Sequence, residues 1–436
     1  MLEVSSYLKS NKSIVMKKFL FNSAWLVTDR ALFLLGSFII SVYVGKYLGP
    51  SKLGVVTYAL SISSVLIALI ELGANHSIYN RAARNKKSAI NLIESTFKLR
   101  IILFFIFYFF SILFLSTHIH NQDDFIVSSV IVFSALFTGL DTYQYYYNAT
   151  LKSKINAISS QISFAIVFIL RYLFVYYEID FAWFSIVFLL QPLLTFLIRF
   201  FYFRKKVTTK KKNRVDKKAY VRYTIKTGSS LVLSALSIVI YTKVNNFVIQ
   251  YTLGDESLGY FSIALQLGLV WLFIPNAIIM SFLTKIIKNT NDLKIKGISF
   301  IILIVIAVSI PFIILFFFFS DFIVEHTYGD NFMQASSIIW IIAVSGIFSC
   351  VGYLNNRVIS SIGEYKFLLF KTIFVSFVSV PLSYFLTINY GIKGSAISIL
   401  IVEFMSATFI NYYNCKPIMY SQLKLLNGFS YIKMIK

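Results

Sequence analysis

Eight charged side chains interrupt otherwise apolar runs of this sequence. A charge at the centre of a membrane helix costs about 2.5–3.5 kcal/mol on insertion scales, so each one needs a partner or a function. The cations are Arg30, Arg171, Lys243 and Arg357, and the acids are Asp29, Glu71, Asp141 and Glu403. Guanidinium groups present forked donors that replace the water around an anion. We therefore predict that the four cations bind an anionic ligand. The alternative, for Arg357 and Lys243, is that they reach out to the membrane surface.

The same acidic residues favour exchange of a small cation. A buried carboxyl group can give up or take a proton when its surroundings change, so Asp29, Asp141 and Glu403 are candidates for coupling to protons or sodium ions. Neither the two cysteines nor the four histidines have the spacing of a metal site. The sequence therefore predicts no cofactor other than such a coupling ion.

The composition requires that lipid form part of the solvent around this chain. Of its 436 residues, 58% are hydrophobic and only 14% are charged, and the mean hydropathy is +0.75. A soluble domain carries far more charge. Runs of about 20 apolar residues, long enough to cross a bilayer as helices, predict twelve spans: 22–45, 54–73, 98–117, 125–147, 158–177, 182–203, 227–249, 260–282, 297–320, 335–361, 367–388 and 394–413.

The distribution of basic residues fixes the predicted orientation. The six connections on one side contain only Lys46, Lys52 and Lys393, whereas nearly all other lysines and arginines fall in the termini and in the opposite connections. The positive-inside rule therefore places both termini in the cytoplasm. We interpret the dense basic run 204–226 as a topology determinant that contacts anionic lipid, not as a nucleic-acid site. Arg199, near the cytoplasmic end of span six, is interpreted as an anchor.

A short phrase occurs twice in the sequence. "GKYLGPSKLG" (45–54) and "IQYTLGDESLG" (249–259) each contain Leu-Gly followed five residues later by Leu-Gly, and the matching residues are 205 positions apart. Both copies follow an odd-numbered span, so the two halves have the same orientation, as in transporters built from parallel repeats. The glycines favour a tight reversal with positive φ. We predict two parallel six-helix bundles around a central cavity, in an all-α polytopic membrane protein.

The predicted domains are a bundle at 1–203, a basic cytoplasmic linker at 204–226, a bundle at 227–413 and a cytoplasmic tail at 414–436. Rocking one bundle against the other would open the cavity to alternate sides of the membrane, which is the geometry of a carrier. No P-loop, nucleophile elbow or metalloprotease helix occurs in the sequence, so it does not predict an enzyme or an ATP-driven pump.

With twelve spans, a repeated Leu-Gly loop and a basic central loop, the chain resembles the polysaccharide (O-antigen type) flippases of the multidrug/oligosaccharidyl-lipid/polysaccharide exporter superfamily. The passages that most resemble this family are "NSAWLVTDRALFLLGSFIISVYVGKYLGPSKLGVVTYALS" (22–61) and "YGDNFMQA" (328–335). The resemblance implies transfer of an oligosaccharide repeat unit on a polyprenyl pyrophosphate from the inner to the outer leaflet of the cytoplasmic membrane. Expected partners are this lipid-linked oligosaccharide, membrane lipids and the glycan polymerase with its chain-length machinery.

For such a substrate, the stretch "DTYQYYYN" (141–148) offers suitable groups. Asp141, Gln144 and Tyr145 would lie on one helical stripe, where carboxylate and amide groups bind sugar hydroxyls and aromatic rings stack on sugar rings. The alternative is an aromatic belt at the inner membrane surface. For the whole chain, the alternatives are a multidrug/cation exporter of the same superfamily, a lipid II-type flippase and, in another class, a glycan polymerase or ligase. The deep cations favour an anionic substrate.

Overall fold

A computed structural model describes the backbone of residues 2–207, 216–286, 291–413, 415–428 and 430–431. It describes side chains from residue 36 onward, together with Phe33, apart from 284, 285, 291 and 292 within this range. Every regular element in this part of the chain is a helix, which confirms the all-α prediction. The helices are α1 (Leu2–Glu71), α2 (Ala74–Arg84), α3 (Lys86–His118), α4 (Gln122–Leu140), α5 (Tyr143–Ala149), α6 (Ser153–Tyr176), α7 (Phe181–Lys206), α8 (Lys217–Leu269), α9 (Phe273–Ile286), α10 (Asn291–Thr327), α11 (Met333–Ser361), α12 (Tyr365–Ala407), α13 (Phe409–Tyr412) and α14 (Lys416–Leu423).

Within the described residues, nine helical segments are long and apolar enough to cross a membrane. Three of them contain a glycine with non-helical backbone angles: Gly49, Gly254 and Gly391. At 1.5 Å per residue, the shortest of these three, Gly36–Glu71, would be about 54 Å long if it were straight, well beyond the hydrocarbon thickness of about 30 Å. Division at the three glycines gives segments that are consistent with the twelve predicted spans.

The turn at Gly391 is visible in side-chain contacts. The Thr387 and Ser395 hydroxyl oxygens are 2.6 Å apart although the residues are eight positions apart. In a continuous helix that separation would be about 12 Å. The chain therefore doubles back at Gly391, whose φ is +60°.

The chain forms two compact units. The first consists of Met1–Tyr47 and Ala59–Leu236, and the second of Leu48–Tyr58 and Ser237–Lys436. In the first unit, α7 packs against α4 and α6. In the second, α11 packs between α10 and α12, around a core that includes Ile301, Leu354 and Ile418. The predicted linker 204–226 is helical where it is described at either end, since α7 extends to Lys206 and α8 begins at Lys217.

The glycine of the first Leu-Gly pair in each repeated phrase has the predicted positive φ. Gly49 has φ +73° and Gly254 has φ +84°, and both have an extended ψ. Residues with a Cβ resist this region of backbone space, so glycine is required for the change of direction. The prediction is confirmed at these two positions.

The glycine of the second Leu-Gly pair has a different role. A Cβ on Gly54 would overlap the backbone carbonyl of Asp255, and a Cβ on Gly259 would overlap the carbonyl of Pro50. These contacts are reciprocal, because Asp255 stands in the second copy where Pro50 stands in the first. The prediction of positive φ is therefore wrong for Gly54 and Gly259. Here glycine is needed because two backbones touch.

We expect Gly54→Ala and Gly259→Ala each to lower the thermal unfolding temperature of the detergent-solubilised protein. Overpacking a close contact costs about 1–3 kcal/mol, and a backbone carbonyl cannot rotate away as a side chain can. Ser51→Ala is the matched control, because Ser51 is exposed in the same connection. Equal unfolding temperatures for Gly54→Ala and Ser51→Ala would contradict the close-contact interpretation.

Candidate functional site

A break in the helix positions Asp141. α4 ends at Leu140 and α5 begins at Tyr143, and Asp141 between them has ψ +54°, outside the helical range. Its Oδ2 accepts a hydrogen bond from Nη1 of Arg199 in α7. Both residues are buried, with 5% and 7% exposure. The interpretation of Arg199 as a surface anchor is therefore wrong, because the guanidinium points into the bundle to neutralise this carboxylate.

Asn156 of α6 completes this cluster. Its backbone carbonyl accepts a hydrogen bond from Arg199 Nη2 at 3.2 Å. Its side-chain amide donates to the Gln144 carbonyl at 2.9 Å and to Asn148 Oδ1 at 2.8 Å. The cluster thus ties α5, α6 and α7 together at the ends of their spans. Gln144, a predicted substrate ligand, contributes its backbone to these contacts.

A second carboxylate lies close to the same cluster. The Tyr145 hydroxyl donates to Glu71 Oε1 at 2.8 Å. Arg100 of α3, which is only 2% exposed, interacts electrostatically with Glu71 and Tyr145. In the described part of the chain, its Nε and Nη1 atoms have no hydrogen-bond partner. The first unit therefore buries two arginines and two carboxylates near one end.

The other tyrosines of "DTYQYYYN" belong to the core of the first unit. Tyr143, Tyr146 and Tyr147 are nearly fully buried. Tyr143 and Tyr146 pack against Phe203 of α7, with ring centroids 4.8 and 5.4 Å apart. The helix break also separates Asp141 from the stripe that was predicted to include Gln144 and Tyr145. Within the stretch 141–148, Gln144, Tyr145 and Asn148 are partly exposed and the other residues are buried.

The second unit contains a comparable cluster in α11 and α12. Lys371 is 1% exposed, and its Nζ donates to Asn356 Oδ1 at 2.9 Å. It interacts electrostatically with Glu403, whose Oε2 lies beside Gly352. Asn355 reaches from α11 to the Ala407 carbonyl at 2.7 Å. The structure thus gives Glu403, a predicted coupling residue, a buried basic neighbour.

Sequence reasoning missed Arg100 and Lys371. Both stand within a few residues of a basic connection, which is the position typical of residues that orient a membrane chain. The one available signal was their position inside the apolar runs 98–117 and 367–388. Burial, which decides their role, depends on which helices pack against them.

Arg357 is an accessible cation held in a defined position. Its side chain is exposed, its Nη2 donates to the Tyr353 hydroxyl at 3.0 Å, and the guanidinium lies 5.1 Å from the centroid of the same ring. The Tyr353 hydroxyl in turn donates to Met280 Sδ at 3.2 Å. This arrangement restricts the arginine while leaving donors available to a ligand.

Of the remaining predicted cations, Arg171 lies apart from the cluster of the first unit. Arg171 is about 22 Å along α6 from Asn156, and its guanidinium lies 4.9 Å from the centroid of the Phe188 ring. Among the described residues its Nε has no hydrogen-bond partner. Lys243, in the second unit, is partly buried. The side chains of Asp29 and Arg30 lie outside the described residues. Within the described part of the chain, no three His, Cys, Asp or Glu side chains group as metal ligands.

We expect Arg199→Met to lower stability by about 3–5 kcal/mol, because it leaves the buried Asp141 carboxylate without its cation. Arg204→Met is the matched control: Arg204 is exposed at the same end of α7 and stacks on Phe200. Thermal unfolding in detergent measures both. If the two variants unfold together, the Asp141–Arg199 pair does not hold this end of the bundle.

A double-mutant cycle tests the pair in the second unit. We expect Lys371→Met and Glu403→Gln each to lower the free energy of unfolding. The loss in the double variant should be smaller than the sum of the two single losses by about 0.5–3 kcal/mol, because the double variant leaves no uncompensated charge. Chemical or thermal unfolding of the four proteins gives this difference. Strict additivity would mean that the two charges do not interact.

Three solved structures illustrate the fold. The lipid II flippase MurJ in an inward closed conformation is 15% identical, with a TM-score of 0.68 over 96% of this chain and 93% of that one. An inward-facing multidrug resistance transporter of the MATE family, from the MOP superfamily, is 16% identical, with a TM-score of 0.66 over 92% and 96%. A MOP superfamily transporter from Pyrococcus furiosus is 15% identical, with a TM-score of 0.60 over 94% and 96%. Such low identities show a shared fold alone.

No curated protein matches this sequence. A family match is nevertheless present, to the family described as polysaccharide biosynthesis protein, and it extends over residues 19–284. That range covers the first unit from residue 19 onward, both copies of the repeated phrase and the second unit as far as residue 284. Since it includes more than half of the chain, this protein belongs to the polysaccharide biosynthesis protein family.

Proposed function

We propose that this protein is a flippase that moves polyprenyl-pyrophosphate-linked oligosaccharide repeat units from the inner to the outer leaflet of the cytoplasmic membrane by alternating access. The products would supply O-antigen, capsular or other exported polysaccharide. The observation that carries the proposal is the family match, on a chain whose fold is that of membrane flippases and exporters. On this proposal both termini face the cytoplasm, as the basic residues predict.

Two cations support an anionic cargo. Among the described residues, Arg171 and Arg357 form no ion pair, whereas Arg199 does. A cation without a countercharge is energetically costly in a membrane protein unless a ligand or water offsets the cost. The pyrophosphate of a lipid-linked sugar is such a ligand, since guanidinium donors match its oxygens. A multidrug exporter of cations, the rival function on the same fold, gains nothing from these arginines.

The residues assigned to the cargo separate into two groups. Arg171 and Arg357, with Arg30 and Lys243, are proposed to contact the phosphate groups, and Gln144 and Tyr145 the sugars. Asp141 makes a smaller contribution on this proposal, because Arg199 already occupies one of its oxygens. Coupling to protons or sodium is proposed for Glu403 or Asp29, and the polymerase and chain-length machinery are proposed partners.

A complementation assay tests this function. In a bacterial strain that lacks its own repeat-unit flippase, we expect the wild-type chain to restore surface polysaccharide. Arg357→Gln should reduce it by roughly tenfold or more, because a hydrogen bond to a charged group contributes about 1.5–3 kcal/mol. Lys366→Gln is the control, since it removes an exposed cation from the neighbouring connection.

Surface glycan, accumulated lipid-linked intermediate and membrane protein level are measured together. Normal glycan with Arg357→Gln at wild-type protein level would exclude Arg357 from the substrate path. The proposed function would be contradicted if the wild-type chain restored no surface polysaccharide in strains with different repeat units and also made those strains more resistant to cationic drugs. That combined result would favour the exporter.

A further inference from the structure

The beginning of α8 has two dissimilar faces. On one face, Tyr220, Tyr223 and Thr224 are directed toward α2 and α3 of the first unit. The Arg81 guanidinium of α2 lies 4.2 Å from the Tyr223 ring centroid and 5.5 Å from that of Tyr220. The Ser88 and Tyr220 hydroxyl oxygens are 3.4 Å apart, and Thr224 is 3% exposed. This face fixes the helix to the first unit.

The opposite face carries a groove of about 470 Å³. Its lining residues are Lys217, Lys218, Val221, Arg222, Ile225 and Lys226. At 100° per residue these six positions fall on the side of α8 away from Tyr220 and Tyr223. All four cations are exposed, and Ile225 is 53% exposed. The groove therefore combines a cluster of positive charge with an apolar strip.

The position of this groove relative to the bilayer determines what it meets. Lys226 directly precedes the apolar run 227–249, and Arg222 and Lys218 follow at roughly one-turn intervals away from it. The headgroup layer extends about 5–8 Å beyond the hydrocarbon on each side. Lys226, Ile225, Arg222 and Val221 fall within about 8 Å along the helix and are thus in this layer, with Ile225 next to its inner edge. Lys217 and Lys218 lie about 12–14 Å out, and their long side chains can reach back toward the lipid phosphates.

We propose that this groove, defined by the six residues named above, binds the headgroup of an anionic phospholipid of the cytoplasmic leaflet. The charge complementarity identifies the occupant: four cations attract phosphate, and the exposed Ile225 requires an apolar neighbour that a soluble anion lacks. The bound lipid covers the free face of α8, while Arg81 and the two tyrosines hold the other face. This inference does not depend on the transported substrate.

Native mass spectrometry of the full chain in detergent tests the proposal. The probes are phosphatidylglycerol and, for comparison, phosphatidylcholine with the same acyl chains. We expect the wild-type protein to retain phosphatidylglycerol preferentially. A variant in which Lys217, Lys218, Arg222 and Lys226 are all changed to Gln should bind it at least about tenfold more weakly, because each basic group near an anionic lipid contributes to the attraction.

The control variant removes the same number of charges elsewhere on the same side of the membrane. It carries Lys86→Gln, Lys87→Gln, Lys205→Gln and Lys206→Gln, at exposed positions, and should retain the wild-type affinity. Equal losses in the two variants would overturn the proposal, because binding would then follow net charge alone. Unchanged binding in the groove variant would also overturn it, and circular dichroism and size-exclusion profiles verify that both variants are folded.

Two further measurements separate a lipid site from a general phosphate site. Ile225→Asn keeps every charge and removes the apolar side chain. We expect this variant to bind phosphatidylglycerol more weakly than the wild type does, and to have the same affinity for soluble glycerol phosphate. If glycerol phosphate or inorganic pyrophosphate displaces the lipid at equal concentration, the groove is a site for soluble anions, and the lipid proposal is wrong. Loss of glycan transport with normal lipid binding would bear only on the proposed function.

Discussion

The contact on which the repeated phrase depends is between a backbone carbonyl and a residue without a side chain. Gly54 meets the carbonyl of Asp255, and Gly259 meets that of Pro50. Each copy supplies one glycine and one carbonyl, so neither copy can acquire a side chain at that position without damaging the contact made by the other. This mutual dependence gives a physical reason for the occurrence of the same phrase twice, 205 residues apart.

The membrane imposes a second constraint, which both units meet in a similar way. A buried charge must be neutralised by a group from another span, because lipid offers no solvation. In the first unit Asp141, Asn156 and Arg199 join three spans, and in the second Asn356, Lys371 and Glu403 do so. All six residues lie near connections rich in lysine and arginine. Arg171 and Arg357 differ from these charges in that no described carboxylate neutralises them.

Hydropathy predicted the all-helical membrane fold, because it reflects the contact of single spans with lipid. The orientation indicated by the charge distribution stays a prediction. The glycine turns at Gly49 and Gly254 followed from local backbone sterics. The site was less predictable. Gly139, two residues before the helix break at Asp141, lies within α4 and does not itself mark the break, and the partner of Asp141, Arg199, is 58 residues away. Arg100 and Lys371 resembled interface residues because their burial depends on helices distant in sequence.

The chain divides into its two compact units inside a helix. The division lies within α8, between Leu236 and Ser237, and the helix is continuous through this point. The predicted linker 204–226 ends in the first turns of the same helix, since α8 begins at Lys217. There Tyr220 and Tyr223 contact Arg81 of the first unit on one face, and the other face is basic. On the orientation that the sequence predicts, these charges lie on the cytoplasmic side of the membrane, while the aromatic face holds the start of α8 against α2 and α3.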